Sequence, residues 1–190
     1  MNVELFSLWL PILVNSVALF FASFLAWAIL PHHKKDWSPL PDEAAFLSAI
    51  KALGLKRGVY GFPFCENHKQ SKDPEFIKKW KEGPSGLINI WAVPNMGRNM
   101  ALTFLVFVVA NIFIAYVGSH TLPRGTDYLK VFQVTGAMAV AVFTIAAIPN
   151  AIWFQKPARA IVMDTIDGIV YGLITAGIFG SMWPGVSHPT

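Results

Sequence analysis

Charged residues are scarce in this sequence, and cysteine is nearly absent. Asp, Glu, Lys and Arg make up 14% of its 190 residues, whereas a soluble globular chain usually carries roughly a quarter. Cys65 is the single cysteine, which excludes an intramolecular disulfide and a zinc motif built from cysteines alone. The sequence also lacks a P-loop, a GxSxG elbow, an HExxH motif and a dinucleotide-binding fingerprint. No enzyme class is therefore indicated, and a non-enzymatic role is favoured.

Four long apolar runs explain the low charge. They cover residues 5–30, about 100–118, 131–153 and 161–183, and each approaches or exceeds the ~18–20 residues that cross a ~30 Å hydrocarbon core. The first run lacks the basic start and the short length of a secretion signal, so we expect a retained helix. The sequence thus predicts a mainly α membrane protein with four transmembrane helices, the first within residues 1–30 and the other three within 99–190. All five histidines lie outside these runs or at their edges, which counts against a haem site between the helices.

Residues 31–98 form a polar insert between the first two predicted helices, and its pattern is α+β. Start and stop signals predict one helix from about Pro41 to Gly54 and a second after Asp73. Short strands are expected at 59–64 and 87–93. The first of these helices should bury one face, formed by Ala45, Phe46, Ala49, Ile50 and Leu53. The insert is small for an independent core, so we expect it to rest against the membrane helices.

Lysine and arginine are distributed unevenly between the two sides of the predicted membrane domain. Eleven of the fifteen lie in residues 31–98, and Lys156 and Arg159 lie between the third and fourth helices. Only Arg124 and Lys130 lie on the opposite side. The positive-inside rule therefore predicts a cytoplasmic insert, with both termini outside. The basic excess suits an anionic lipid leaflet and does not indicate nucleic acid as a partner.

Imidazole and thiolate groups in the insert suggest a metal site. Cys65 and His68 have a workable ligand spacing, and His32 and His33 would join them if the segment around Cys65 folds back under the first helix. These ligand types suit zinc or copper. The alternative is that the histidine pair titrates at the lipid headgroups and the other two are ordinary loop residues. The sequence lacks the paired ligand motifs of most metal sites, and on this alternative no cofactor is expected.

Two carboxylates stand at the cytoplasmic end of the fourth predicted helix. Asp164 and Asp167 are candidates for proton or ion handling, because ionisable groups within a span are usually functional. The alternative is structural, since carboxylates in the first turns of a helix interact well with its dipole. Arg98 or Arg159 would then pair with them.

The fourth helix also carries a ridge of small residues spaced by four, which would let another helix approach closely. The ridge consists of Gly168, Gly172, Ala176 and Gly180. Its partner is either another helix of this chain or a second chain. Polar residues are scattered through the spans and would either line a permeation route or hydrogen-bond between helices; they are Asn15, Asn111, Gln133 and Asn150.

Four phrases resemble a family of small, uncharacterised bacterial inner-membrane proteins with four helices. They are LPHHKKDWSPLPDEA, GVYGFPFCENHKQSKDPEF, NMGRNM and TAGIFGSMWP, and the resemblance covers most of the chain. It implies a bacterial inner-membrane location and supplies no activity. Members of that family often have histidine where this sequence has Phe64, which weakens the metal hypothesis.

The sequence therefore favours a non-enzymatic accessory or scaffold subunit in the lipid bilayer. Such a subunit would pack with other membrane proteins, or with a second copy of itself, through the ridge or the basic insert. The alternative is a metal- or proton-handling transport component that uses either the His/Cys set or the two aspartates.

Overall fold

The computed structural model describes residues 3–185, which fall into two compact units. The first, called the membrane unit below, contains the described residues up to Ser38 and from Gly97 onward. The second, called the insert unit, is Pro39–Met96. Residues 31–38, which we assigned to the insert from the sequence, thus belong to the membrane unit. His188, one of the five histidines considered above, lies outside the described residues.

Four helical stretches are long and apolar enough to cross a bilayer, and a small sheet lies between the first two, which confirms the predicted fold class. The spans are Leu5–Ile29, Met96–Thr121, Tyr128–Trp153 and Ala158–Met182. The α-helices are α1 (Trp9–Phe24), α2 (Glu43–Ala52), α3 (Pro74–Glu82), α4 (Met96–Thr121), α5 (Tyr128–Phe143), α6 (Ile148–Trp153) and α7 (Ala158–Met182), and the strands are β1 (Gly58–Phe62) and β2 (Gly86–Ile90).

Helix α7 packs along α5 through its small residues. A Cβ added to Gly168 would lie 2.3 Å from Thr144 Cγ2, and one added to Gly172 would lie 2.4 Å from Val140 Cγ2. Larger residues would therefore force the two helices apart. The rest of the ridge makes similar contacts, between Ala176 and Gly136 and between Gly180 and Tyr128. The ridge predicted from the sequence is covered by a helix of the same chain.

The apolar core of the membrane unit lies at the end where the first span begins. Leu8, Ile114 and Phe179 are fully buried there, and the Trp183 indole closes the end of the bundle. Trp183 Nε1 donates a hydrogen bond to the Pro123 carbonyl at 3.1 Å. Tight apolar packing therefore holds this end of the bundle together.

A buried hydrogen-bond network joins three helices inside the bundle. Asn15 Nδ2 on α1 donates to Asn111 Oδ1 on α4 at 2.6 Å and to Thr175 Oγ1 on α7 at 2.9 Å. Asn111 Nδ2 donates to Ser16 Oγ at 2.9 Å. Such bonds hold helices together in lipid, where the hydrophobic effect does not. The other two polar candidates, Gln133 and Asn150, are exposed.

The insert unit is built on a two-stranded antiparallel sheet and two capped helices. Strand β1 pairs with β2 from Gly58 opposite Ile90 to Phe62 opposite Gly86. The Asp73 carboxylate accepts a hydrogen bond from the Glu75 backbone N–H at 2.9 Å and caps α3, as the sequence predicts.

The prediction that α2 buries its apolar face is wrong within the insert unit. No residue of α2 is buried, and Leu53, which follows its last turn, is 68% exposed. Phe76 is the only buried residue in Pro39–Met96, all of which the structure describes. The physical reason is size, because a two-stranded sheet and one short helix cannot cover a second helix as well.

Candidate functional site

The candidate site begins where the first span ends. Helix α1 widens into a π-helical turn over Leu25–Ile29, and the Leu30 backbone N–H bonds to the Leu25 carbonyl at 2.9 Å. Such turns often occur near functional sites because they shift side chains around the helix. Pro31 then starts a short 3₁₀ helix over Pro31–Asp36. This short helix packs against α7 and directs two histidines toward it.

His33 is buried between two carboxylates. Its Nδ1 lies 2.6 Å from Asp36 Oδ2, and its Nε2 lies 2.9 Å from Asp167 Oδ2. The Trp27 indole lies parallel to the imidazole, with ring centroids 3.8 Å apart. His33 is 4% exposed, so its ring is held by contacts on both nitrogens and on one face.

His32 approaches the same aspartate from a different direction. Its Nε2 lies 3.0 Å from Asp167 Oδ1, and its ring centroid lies 4.3 Å from that of His33. Asp167 is buried, whereas His32 is partly accessible. The ligand atoms of His32, His33 and Asp167 all lie within 4.8 Å of one another. We call these three residues the His–Asp cluster.

Arg159, on the first turn of α7, ties the 3₁₀ helix to the fourth span. Its guanidinium pairs with Asp36 and also donates to the His32 carbonyl at 2.6 Å. The hydrogen bond from His33 lowers the pKa of Asp36 below its ordinary value, and the Arg159 charge adds to that effect. Burial alone would lower the pKa of His33, but hydrogen bonds to Asp167 and Asp36 outweigh it and raise that pKa.

The two aspartates of α7 have different partners in the structure. Asp164 pairs with Lys156, and both side chains are about one-third exposed, which fits the structural alternative for this carboxylate. Asp167, three residues further into the helix, faces both histidines. An aspartate that we considered for proton or ion handling and a histidine pair that we considered for metal thus form one site.

The other two residues of the predicted metal set belong to the insert unit. Cys65 Sγ donates a hydrogen bond to the Asn67 carbonyl at 3.2 Å. His68 is exposed, and its carbonyl accepts a hydrogen bond from Ser71 Oγ at 2.8 Å. Both residues form local loop contacts within their own unit.

The donor set of the His–Asp cluster suits a divalent transition metal. Two imidazole nitrogens and a carboxylate are ligands for zinc, iron, manganese and nickel. The Nε2–Oδ separations of 2.9 and 3.0 Å are hydrogen-bond distances, and the ligand atoms lie close enough together for one ion to be shared among them. Asp36 lies behind His33 on Nδ1, where metal-binding histidines usually have a carboxylate or carbonyl partner.

Three contributors to the site were missed from the sequence. Asp36 follows His33 by three residues, a spacing that brings side chains together in a helix, and this was the available signal. Arg159 was expected to pair with the α7 aspartates and instead binds Asp36. For Trp27, the sequence offers no signal that it stacks on His33.

No protein-family model, curated protein or solved structure matches this chain. The resemblance to bacterial inner-membrane proteins therefore stays a prediction. The fold and the site define a four-span membrane protein with a His–carboxylate cluster where the first and fourth spans meet.

Proposed function

We propose that this protein is a metal-handling membrane protein that binds one divalent transition metal ion at the His–Asp cluster. The observation that carries this proposal is the convergence of His32, His33 and Asp167 from two distant parts of the chain. Burying charged and polar groups at a helix junction is costly unless they are paired or bind a metal. A metal ion would use all three donor groups and leave coordination positions open on the accessible side of His32.

Three features of the surroundings support metal binding. Asp36 holds His33 by Nδ1 and leaves Nε2 directed at the cluster. Trp27 fixes the plane of the His33 ring. Arg159 fixes both Asp36 and the His32 backbone. A site whose ligands are already oriented loses less conformational entropy when the ion binds.

The test is metal analysis of the full-length protein purified in a mild detergent. The protein is stripped with chelator, incubated with Zn²⁺, Ni²⁺ or Mn²⁺, freed of excess metal and measured by mass spectrometry. We expect about one zinc ion per chain, since zinc binds nitrogen and oxygen ligands more tightly than manganese does. Asp167→Asn and His33→Ala should each abolish the bound ion.

Two control variants distinguish this site from the alternatives. Asp164→Asn removes a carboxylate of the same helix that pairs with Lys156, and it should leave metal binding unchanged. Cys65→Ser combined with His68→Ala removes the other half of the predicted four-residue site, and it should also leave binding unchanged. Absence of metal from the unaltered protein would overturn the proposal.

An accessory or scaffold role is the second candidate, and one observation now bears on it. The small-residue ridge of α7 is occupied by α5, so this face does not dock another protein while the bundle is intact. The insert unit is the remaining candidate for a partner surface, because it buries only Phe76. A pull-down from mild detergent that recovers only monomer would contradict this second role.

We also propose that the protein lies in a bacterial inner membrane with the insert unit in the cytoplasm. The asymmetry of basic residues, thirteen on the insert side against two on the other, supports the orientation. The resemblance to bacterial inner-membrane proteins supports the location. His32 and His33 of the cluster follow the first span directly and precede the insert, and Asp167 lies near the start of the fourth span. The cluster would then face the cytoplasmic side, where a metal ion would enter or leave.

A further inference from the structure

Helix α2 has an apolar face with no partner in the insert unit. Phe46 and Leu53 are 38% and 68% exposed, and Ile50 is only half-buried. At 100° per residue these three positions lie within about 60° of one another around the helix. Burying such a face is the main source of stability for a short helix. The exposed face therefore indicates a surface outside the insert unit that covers it.

The opposite face of α2 carries small and polar residues, and basic charge is in excess around the helix. Ser48 lies about 140° from Leu53 around the helix and is exposed. Five exposed basic residues lie on or around the helix and outnumber the two exposed acids at its start, Asp42 and Glu43; they are Lys34, Lys35, Lys51, Lys56 and Arg57. An apolar face with basic flanks is the pattern of helices that lie in the headgroup layer of anionic membranes.

The length of the chain limits how far α2 can lie from the end of the first span. Residues 37–42 connect the 3₁₀ helix that ends at Asp36 to α2, which begins at Glu43. Seven residue steps reach at most ~25 Å even when fully extended. Trp37, in this link, is 70% exposed, and tryptophan is the residue most typical of the membrane interface. A bilayer surface is thus within reach of α2 at all times.

We propose that α2 docks into the headgroup layer of an anionic lipid bilayer, with Phe46, Ile50 and Leu53 toward the acyl chains. The flanking lysines and Arg57 would contact the lipid phosphates. This docking would hold the insert unit on the membrane surface. It would also bury apolar surface that the small core of the insert unit leaves exposed. The proposal is independent of metal binding, because α2 contributes no ligand to the His–Asp cluster.

The experiment measures the depth of a nitroxide label on α2 in the full-length protein. Cys65→Ser removes the single native cysteine, and a label is then placed at Leu53→Cys, at Phe46→Cys or at the control position Ser48→Cys. The proteins are reconstituted in nanodiscs of phosphatidylcholine with phosphatidylglycerol. Relaxation enhancement by oxygen, which concentrates in lipid, is compared with that by a water-soluble nickel chelate. Circular dichroism checks that each labelled protein is folded.

The ratio of oxygen to nickel accessibility should be several-fold higher at positions 46 and 53 than at position 48. In nanodiscs of phosphatidylcholine alone the difference should become smaller, because the basic flanks lose their partners. Equal nickel accessibility at all three positions would overturn the proposal, since α2 would then lie in water. Protection of positions 46 and 53 from both reagents would also overturn it, because a protein surface would then cover the face. A difference independent of the anionic lipid would overturn the assignment to anionic headgroups.

Discussion

The indole ring of Trp27 lies parallel to the imidazole ring of His33, with the two planes 6° apart and the ring centroids 3.8 Å apart. Trp27 belongs to the π-helical turn that ends the first span, and His33 belongs to the 3₁₀ helix that follows. The stack therefore connects the two segments across the bend at Leu30 and Pro31. It places a side chain at the end of the first span against a side chain of the candidate site.

The first prediction concerns this stack. Trp27→Ala should weaken metal binding about tenfold, since residues that only orient a ligand typically change metal affinity 10–100-fold. Trp27→Phe keeps a flat apolar ring and should recover most of the affinity. The measurement is competition against a zinc indicator in detergent. If Trp27→Ala binds as tightly as the unaltered protein, the stack does not position His33.

The second prediction concerns the carboxylate behind His33. Asp36→Asn should reduce metal affinity about 10–100-fold without abolishing it, because Asp36 binds Nδ1 of a ligand and not the ion. The same competition assay measures the effect. Asp164→Asn, which changes a carboxylate paired with Lys156, is the matched control. Complete loss of the ion in Asp36→Asn would instead make Asp36 a direct ligand.

The third prediction compares two glycines of α7. A Cβ at Gly168 would lie 2.7 Å from the Phe143 carbonyl oxygen, as well as colliding with Thr144, whereas a Cβ at Gly177 meets nothing within 4 Å. Gly168→Ala should therefore destabilise the bundle by ~1–3 kcal/mol, the usual range for overpacking. Gly177→Ala should be neutral or slightly stabilising, because alanine favours the helix. Unfolding in mixed detergent micelles measures both. Equal stability of the two variants would contradict close packing of α5 on α7.

The fourth prediction concerns the buried amide network. Asn111→Leu removes the acceptor of Asn15 and the donor to Ser16, and should cost ~0.6–2 kcal/mol, the range measured for hydrogen bonds between membrane helices. Gln133→Leu, at an exposed position, should have little effect in the same unfolding assay. A larger loss in Gln133→Leu would mean that the network does not join the helices.

The fifth prediction concerns orientation. In intact bacterial cells, a membrane-impermeant maleimide should leave the native Cys65 unlabelled until the inner membrane is permeabilised. Thr126→Cys in a Cys65→Ser background should be labelled without permeabilisation, because Thr126 lies in the loop between the second and third spans. The reverse pattern would invert the topology inferred from the basic residues.

Local features of the fold could be predicted from the sequence because their causes are local. The length and composition of the apolar runs predict the spans, and the helix α3 start at Asp73-Pro74 is a capping signal that needs no tertiary contact. The burial of α2 could not be predicted in the same way. The spacing of its apolar residues shows which face would be buried. Whether other residues cover that face depends on the rest of the insert unit.

The candidate site, too, could be predicted from the sequence only in part. Histidine in positions 32 and 33 and aspartate in position 167 were each selected by residue type and place in the chain. Their meeting, across 134 and 135 residues, had no local signal. The rotation of α7 about its axis decides whether Asp164 or Asp167 faces the histidines, and the packing of the glycine ridge on α5 sets that rotation.

The sequence by itself determined four spans, a basic insert with capped helices, and a ridge of small residues, because each depends on composition or on spacing along one segment. Only the tertiary structure decided that the ridge packs against α5, that Asn15 bonds to Asn111, and that the His–Asp cluster forms. The physical reason is that contacts between distant segments depend on helix rotation and close packing. These are set by all the helices together and by no single stretch of the chain.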